Sequence, residues 1–414
     1  MWQAEVRIDL GAIAANVARL RAAAPGAELM AVVKADGYGH GMVPVARAAA
    51  RAGATAFGVC TLDEALALRR AGITGPVLAW LVAPGQPLAD GIAAGIELSA
   101  ASHAQLDEIV AAGLRAGRPG RIHLKVDTGL GRGGAARDGW PALVEAAAKA
   151  LADGAVEVVG VWSHFARADE PEHPVNGAQL AAFRDALAVA GRVGITPRYR
   201  HIANSAAALT RPESHFDMIR TGIAIYGLSP VPGRRFGLRP AMTARARVIL
   251  AKRMPAGHGV SYGHAYRTDR ETTLAVLPVG YADGIPRSAS NRGPIALAGR
   301  VRRIAGRVCM DQVVLDCGDD PVAAGDVAMI FGPGDNGEPT ADDWAEAVGT
   351  INYEIVTRFG GPRVTRTYQD ERATSGGPAG GSAATAGPGP DPGGAGPAGA
   401  GEVRGARGVG AAGG

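Results

Sequence analysis

Between Leu29 and Gly227 the chain alternates short apolar runs with longer stretches rich in Ala, Arg and Glu. That alternation limits the possible folds more than any other feature. The runs lie at 29–33, 56–60, 77–81, 96–99, 122–126, 158–162, 199–203 and 218–224. Each is short and partly β-branched, as a buried strand is. The stretches between them, for example 61–71, 102–116 and 179–193, read as helices. Eight β-α units within about 200 residues predict a closed α/β barrel of the TIM-like kind rather than an open sheet. An open doubly wound sheet has fewer strands and a glycine fingerprint after the first, which is absent here.

Active sites of such barrels sit at the C-terminal ends of the strands. Those ends carry Lys34, Lys125 with Asp127, His164, Asn204 with Ser205, and Arg220 with Gly222. Nearly every polar or ionisable group bracketed by apolar sequence is expected at one of these ends, which points to an enzyme. Lys34 closes the first run and is followed by the glycine-rich turn DGYGHG. A lysine there is costly to bury and becomes a usable amine nucleophile, the kind that forms Schiff bases with carbonyl compounds. A surface lysine beside a flexible turn is the alternative.

Past Pro230 the character changes. Strand-like stretches at 245–250, 272–278, 300–304, 312–315 and 327–331 are separated by glycine-rich turns without long helices. They predict a mostly β C-terminal domain of roughly 130 residues. The expected domains are an N-terminal strand at 1–10 joining the β domain, the barrel at 11–230, the β domain at 231–370, and a tail at 371–414. The tail is Gly, Ala and Pro with almost no large apolar residue, so disorder is expected there. A net charge of +4 with interspersed signs argues against a nucleic-acid partner. Three cysteines give no disulfide framework, and the N-terminal residues Glu5, Arg7 and Asp9 interrupt any signal-peptide core. A cytoplasmic location is expected. The longest uncharged stretch contains Pro76, Pro84 and Pro87, so no membrane span is expected.

Several strings carry chemistry. KVDTGLGRG at 125–133 presents Arg132 on a glycine-flanked turn, where a planar guanidinium can grip a carboxylate or simply brace the turn. His164 could be catalytic or structural. Asn204 and Ser205 start a helix whose free N–H groups can bind phosphate, or they serve only as its cap. The next strand end, Arg220 to Ile223, would complete a phosphate site of the kind barrels build from their last two loops. In the β domain, Ser261-Tyr262-Gly263 is a common turn when taken alone.

Taken together, AVVKADGYGHG (31–41), KVDTGLGR (125–132), WSHF (162–165), HIANS (201–205), RTGIAIYG (220–227), VSYG (260–263), GYADG (280–284), RVCMDQ (307–312) and NYEI (352–355) resemble the alanine racemases, fold-III enzymes dependent on pyridoxal 5'-phosphate (PLP). Leu130 replaces the family's usual Met. The resemblance implies that Lys34 carries PLP, and that Tyr38, His164, Asn204, Ser205, Arg220, Gly222, Ile223 and Tyr353 hold it. It implies that Arg132 and Met310 bind substrate, with Lys125 carbamylated to orient Arg132, and Tyr281 and Asp311 supporting the site. Lys34 and Tyr262, the latter reaching over from a partner subunit, would be the two acid/base groups that interconvert L-alanine and D-alanine, supplying D-alanine for peptidoglycan. Arg220, always charged, would donate to an unprotonated ring nitrogen and so favour return of the proton to Cα. A homodimer with shared sites follows, and no metal is implied. A broad-specificity amino-acid racemase and a non-catalytic PLP-carrier protein are the alternatives. A carrier would have the lysine strand but lack the β domain with Tyr262, Met310 and Asp311.

Overall fold

Each of the eight apolar runs is a strand in the computed structural model, which describes residues 2–370. The strands are Glu28–Val32, Ala56–Val59, Val77–Ala79, Glu97–Ala100, Gly120–Lys125, Val156–Trp162, Tyr199–His201 and Met218–Thr221. Seven parallel ladders join them in order, with the last strand returning to the first (Glu28 opposite Met218). Hydrogen bonds from Asp217 N to Arg200 O and from Arg220 N to Ala203 O close the ring. Almost every strand residue is buried, because the outer face meets helices and the inner face meets the opposite wall. Met30, Ala56, Leu78, Val159, Tyr199 and Met218 fill part of the interior as a separate apolar cluster.

The helices begin where side chains can accept their free N–H groups. Thr61 and Glu64 form a reciprocal capping box at Leu62–Arg70. Ser102 caps His103–Ala116, and Asp9 caps Leu10–Ala23. The helix expected at 179–193 runs Pro174–Arg192, its start set by Pro174 in the first turn.

The C-terminal domain is mostly β. Ala4–Asp9 lies inside its six-stranded sheet, antiparallel to Met242–Arg247 (Ala4 opposite Ala246) and parallel to Val364–Gln369 (Ala4 opposite Val364). A three-stranded sheet consists of Leu250–Met254, Thr272–Leu277 and Val313–Asp316. Two strands lack the expected signature: the edge strand Leu250–Met254 is largely exposed, and Pro294–Leu297, paired on both sides in the six-stranded sheet, opens on a proline. Two short helices, Ala341–Val348 and Asn352–Arg358, join the domain to the barrel, where Asn352 Nδ2 donates to Ser229 O at 3.1 Å. The expected tail at 371–414 lies outside the described residues.

Candidate active site

The strand Glu28–Val32 delivers Lys34 to the barrel mouth, with its Nζ 5.9 Å from the centre of the Tyr38 ring. The turn that follows is left-handed. Ala35, Asp36, Gly37 and Tyr38 have φ of 52°, 51°, 63° and 51°, a conformation that costs a non-glycine residue roughly 1–2 kcal/mol. Side chains from elsewhere hold it. Ala35 N donates to Glu64 Oε1 at 2.7 Å, Met42 N donates to Asp36 Oδ1 at 2.9 Å, and Arg366 pairs with Asp36 Oδ2 at 2.6 Å. Strain overridden in this way is characteristic of functional segments.

Asp127 organises the Arg132 loop by accepting the N–H groups of Gly129, Leu130 and Gly131 at 2.8–2.9 Å. Lys125 lies over the Trp162 ring at 4.3 Å. Burial, followed by the charges of Arg220 and Arg132, brings its ammonium down to about 8. Arg220 is buried, and among the described residues no carboxylate pairs with it. Its Nη2 donates to Ser163 O at 2.8 Å and to His164 Nδ1 at 3.0 Å, and its Nη1 to His201 Nδ1 at 3.2 Å. None of these bonds uses Nε. Burial, followed by the charges of Arg220, Arg132, Lys125 and Lys34, holds the His164 imidazole well below its ordinary range. Four cations therefore converge here, and the Asp127 charge offsets them at Lys125.

In the loops after the last two strands, Asn204 caps Ser205–Thr210 by accepting Ala207 N at 3.1 Å. The Ser205 hydroxyl turns instead to the next loop, where it accepts Gly222 N at 2.9 Å. The N–H of Ile223 opens the turn Ile223–Tyr226 and has no partner within it. A Cβ on Gly222 would lie 2.3 Å from Tyr38 Oη, so the phenol fits against bare backbone. The Tyr353 ring lies 6.3 Å from that of Tyr38. Hydroxyls, an N–H with no partner in its own turn and a surplus of positive charge suit an anionic, phosphate-bearing aromatic ligand, and PLP has that chemistry.

The remaining predicted residues occupy another surface. Tyr262 is 71% exposed and Met310 53%. Together with Ser261, Cys309 and Asp311 they line a shallow depression of about 460 Å³ to which no barrel residue contributes. Ser261 holds Tyr262 out through a strained φ of 61°, its Oγ donating to Arg307 O at 2.7 Å. Arg363 pairs with Asp311 at 2.6 Å and with Asp283 at 2.7 Å. Tyr281 is also exposed.

One expectation needs correction. Polar groups are not confined to the residues that follow the strands: Glu97 opens its strand, His123 lies in the middle of its own and His201 is the last residue of its strand, and all three are buried inside the barrel. A glutamate in the run IELSA and a histidine in IHLKV were the signals available, since charge inside a buried strand requires a partner. Trp162, which stacks on His201 with its ring 5.7 Å away, carried no signal beyond its bulk. Among the described residues no group of His, Cys, Asp and Glu is placed to hold a metal ion. No described helix is long and apolar enough to cross a membrane.

A lysine, a buried arginine and an anion-accepting corner at the mouth of an eight-stranded barrel, with a β domain alongside, define a two-domain barrel enzyme. The chain belongs to the alanine racemase family: residues 8–230 match the family's N-terminal domain and residues 241–368 its C-terminal domain. The alanine racemase of Salinispora arenicola is 69% identical over 372 residues, covering 90% of this chain and 100% of that protein. The crystal structure of alanine racemase from D-cycloserine-producing Streptomyces lavendulae superposes with a TM-score of 0.88 at 56% identity, over 89% of this chain and 97% of that one. The Bacillus anthracis alanine racemase, solved with bound L-Ala-P, gives 0.81 at 34% identity over 89% and 95%.

Proposed function

We propose that this chain interconverts L-alanine and D-alanine with PLP, supplying D-alanine for peptidoglycan in the cytoplasm. The convergence of Lys34, Lys125, Arg132 and Arg220 around a neutral His164 carries the reading, because it fits a ligand that brings both a phosphate and a carboxylate. Lys34 would anchor the cofactor. Tyr38, Ser205, Gly222, Ile223 and Tyr353 would hold its phosphate beside the Asn204 cap, and Arg220 would donate to its ring nitrogen. The bound cofactor supplies an electron sink that makes the Cα hydrogen of the substrate acidic.

The protein's own groups do the rest. Arg132 takes the substrate carboxylate with two parallel hydrogen bonds, and Met310 contributes from its backbone. Lys34 handles the proton on one face of Cα. A second group must stand on the opposite face, and Tyr262 of a second copy meets that need. Arg220 donates to His164 Nδ1, which leaves His164 its Nε2–H tautomer and keeps a neutral ring between the cation and that tyrosine. Tyr281 and Tyr353 narrow the entrance, and Asp311 braces the Met310 loop through Arg363. The carbamate of Lys125, where it forms, would be the anion that orients Arg132.

Incubation with L-alanine followed by chiral analysis should yield both enantiomers. Borohydride treatment should fix the cofactor to the peptide containing Lys34. Label on Lys125 or Lys252, or recovery of L-alanine alone, would refute the assignment.

A further inference from the structure

Inside the barrel a chain of hydrogen bonds runs from the N-terminal end of the strands to the mouth. It begins at Glu97, the first residue of Glu97–Ala100, whose carboxylate accepts from Arg121 at 2.9 Å and faces His123 Nε2 at 2.9 Å. His123 Nδ1 meets His201 Nε2 at 2.8 Å, and His201 Nδ1 meets Arg220 Nη1 at 3.2 Å. His123 and His201 are wholly buried, and Glu97 and Arg220 nearly so. The barrel is shaped to admit the chain: a Cβ on Gly160 would lie 2.2 Å from His123 Nδ1.

The direction of every link follows from one fact, that a guanidinium only donates. His201 must accept through Nδ1, so its hydrogen sits on Nε2 and points to His123. That bond makes His123 Nδ1 an acceptor and leaves its hydrogen on Nε2, pointing to Glu97. All donors then aim toward the carboxylate, and bonds aligned in this way polarise one another. Burial, then the charge of Arg220, then His123, hold the His201 imidazole well below its ordinary range, as a neutral link requires. Burial pushes the Glu97 carboxyl up, but His123 and Arg121 outweigh it and keep the group an anion. Burial alone brings Arg220 down to about 9, and no bond in the chain puts a carboxylate against it.

We propose that Glu97, His123 and His201 are positioning residues for the reaction, a one-directional chain through which the Glu97 carboxylate acts as the remote counter-charge of Arg220 and fixes both its orientation and its positive charge at the mouth. This rests on the reading of Arg220 as the donor to the cofactor ring.

The test uses histidine labelled with ¹⁵N, together with Glu97→Gln, His123→Gln and Arg220→Lys. Wild-type spectra between pH 6 and 9 should show His201 neutral with its hydrogen on Nε2, and the Nδ1 of His123 accepting that hydrogen. Glu97→Gln can still accept from His123, so it should keep those tautomers. The loss of charge should lower kcat about 10- to 100-fold with KM nearly unchanged, and shift the absorption band of the bound cofactor. His123→Gln, which can bridge its two neighbours as a neutral link, should retain most of the band position. A hydrogen on Nδ1 of His201, or a cationic His201, overturns the proposal even if no variant folds. So does a Glu97→Gln enzyme within twofold of wild type while Arg220→Lys is crippled. If Arg220→Lys leaves both band and rate unchanged, the reading of Arg220 itself has failed.

Discussion

Gly222 and His40 show how much a single position decides. The Tyr38 hydroxyl occupies the space where a Cβ of residue 222 would be, so Gly222→Ala forces apart two groups assigned to the phosphate. Overpacking of this kind costs about 1–3 kcal/mol. Cofactor affinity measured by equilibrium dialysis should fall about tenfold or more, and Tyr38→Phe in the same chain should restore part of it. His40 is fully buried against the Tyr226 ring, with Nδ1 on Tyr38 O at 2.8 Å and Nε2 unpartnered. Burial holds its imidazole down at about 4. The unfolded ring takes a proton near 6.5, so stability present above that pH is lost as pH falls toward 4, by about 3 kcal/mol for this group. Urea unfolding at pH 7 and pH 4.5 should show a smaller loss in His40→Asn, which keeps the donor to Tyr38 O. Sequence order alone revealed Lys34 and Arg220, because both sit in contiguous strings. His40 lay in the same string, yet its burial was not legible, since Leu228, Phe331 and Val356 close its pocket from far along the chain.

At the scale of elements, the left-handed turn after Lys34 borrows its stability from a neighbouring helix. Glu64 completes the capping box of Leu62–Arg70 through Oε2, which accepts Cys60 N and Thr61 N, and its Oε1 takes Ala35 N. Thr61→Ala removes only the cap and should cost about 1 kcal/mol with cofactor retention unchanged. Glu64→Ala also frees the strained turn. It should cost about 2 kcal/mol, and the cofactor should leave faster on dilution, followed by loss of its visible absorption. Equal retention in the two variants would mean that the turn holds itself. The glycine-rich string suggested a turn here, but three non-glycine residues in the left-handed region could not be read from it, because their cost is met by Glu64 and Arg366.

For the whole molecule, the two acid/base groups are proposed to come from two copies of the chain. Lys34 lies at the barrel mouth, whereas Tyr262 stands on an exposed face lined only by β-domain residues. Lys34→Ala and Tyr262→Phe should each be nearly inactive. Mixed under conditions that exchange subunits, they should recover up to about half the wild-type rate per heterodimer, because one site then holds both lesions and the other neither. No recovery despite proven exchange would return Tyr262 to its own chain. The sequence by itself determined the eight barrel strands, the change to β structure after Pro230, and the strings that follow the strands, because apolar period and turn chemistry are local properties of a chain. Only the tertiary structure decided that Ala4–Asp9 lies between strands that begin at Met242 and Val364, and that a glutamate, two histidines and an arginine join inside the barrel. His123 meets Glu97 across 26 positions of sequence and His201 across 78, and no local pattern records a partner at that distance. Closure of the barrel brings them together, and a carboxylate removed from water is retained there only where such partners meet it.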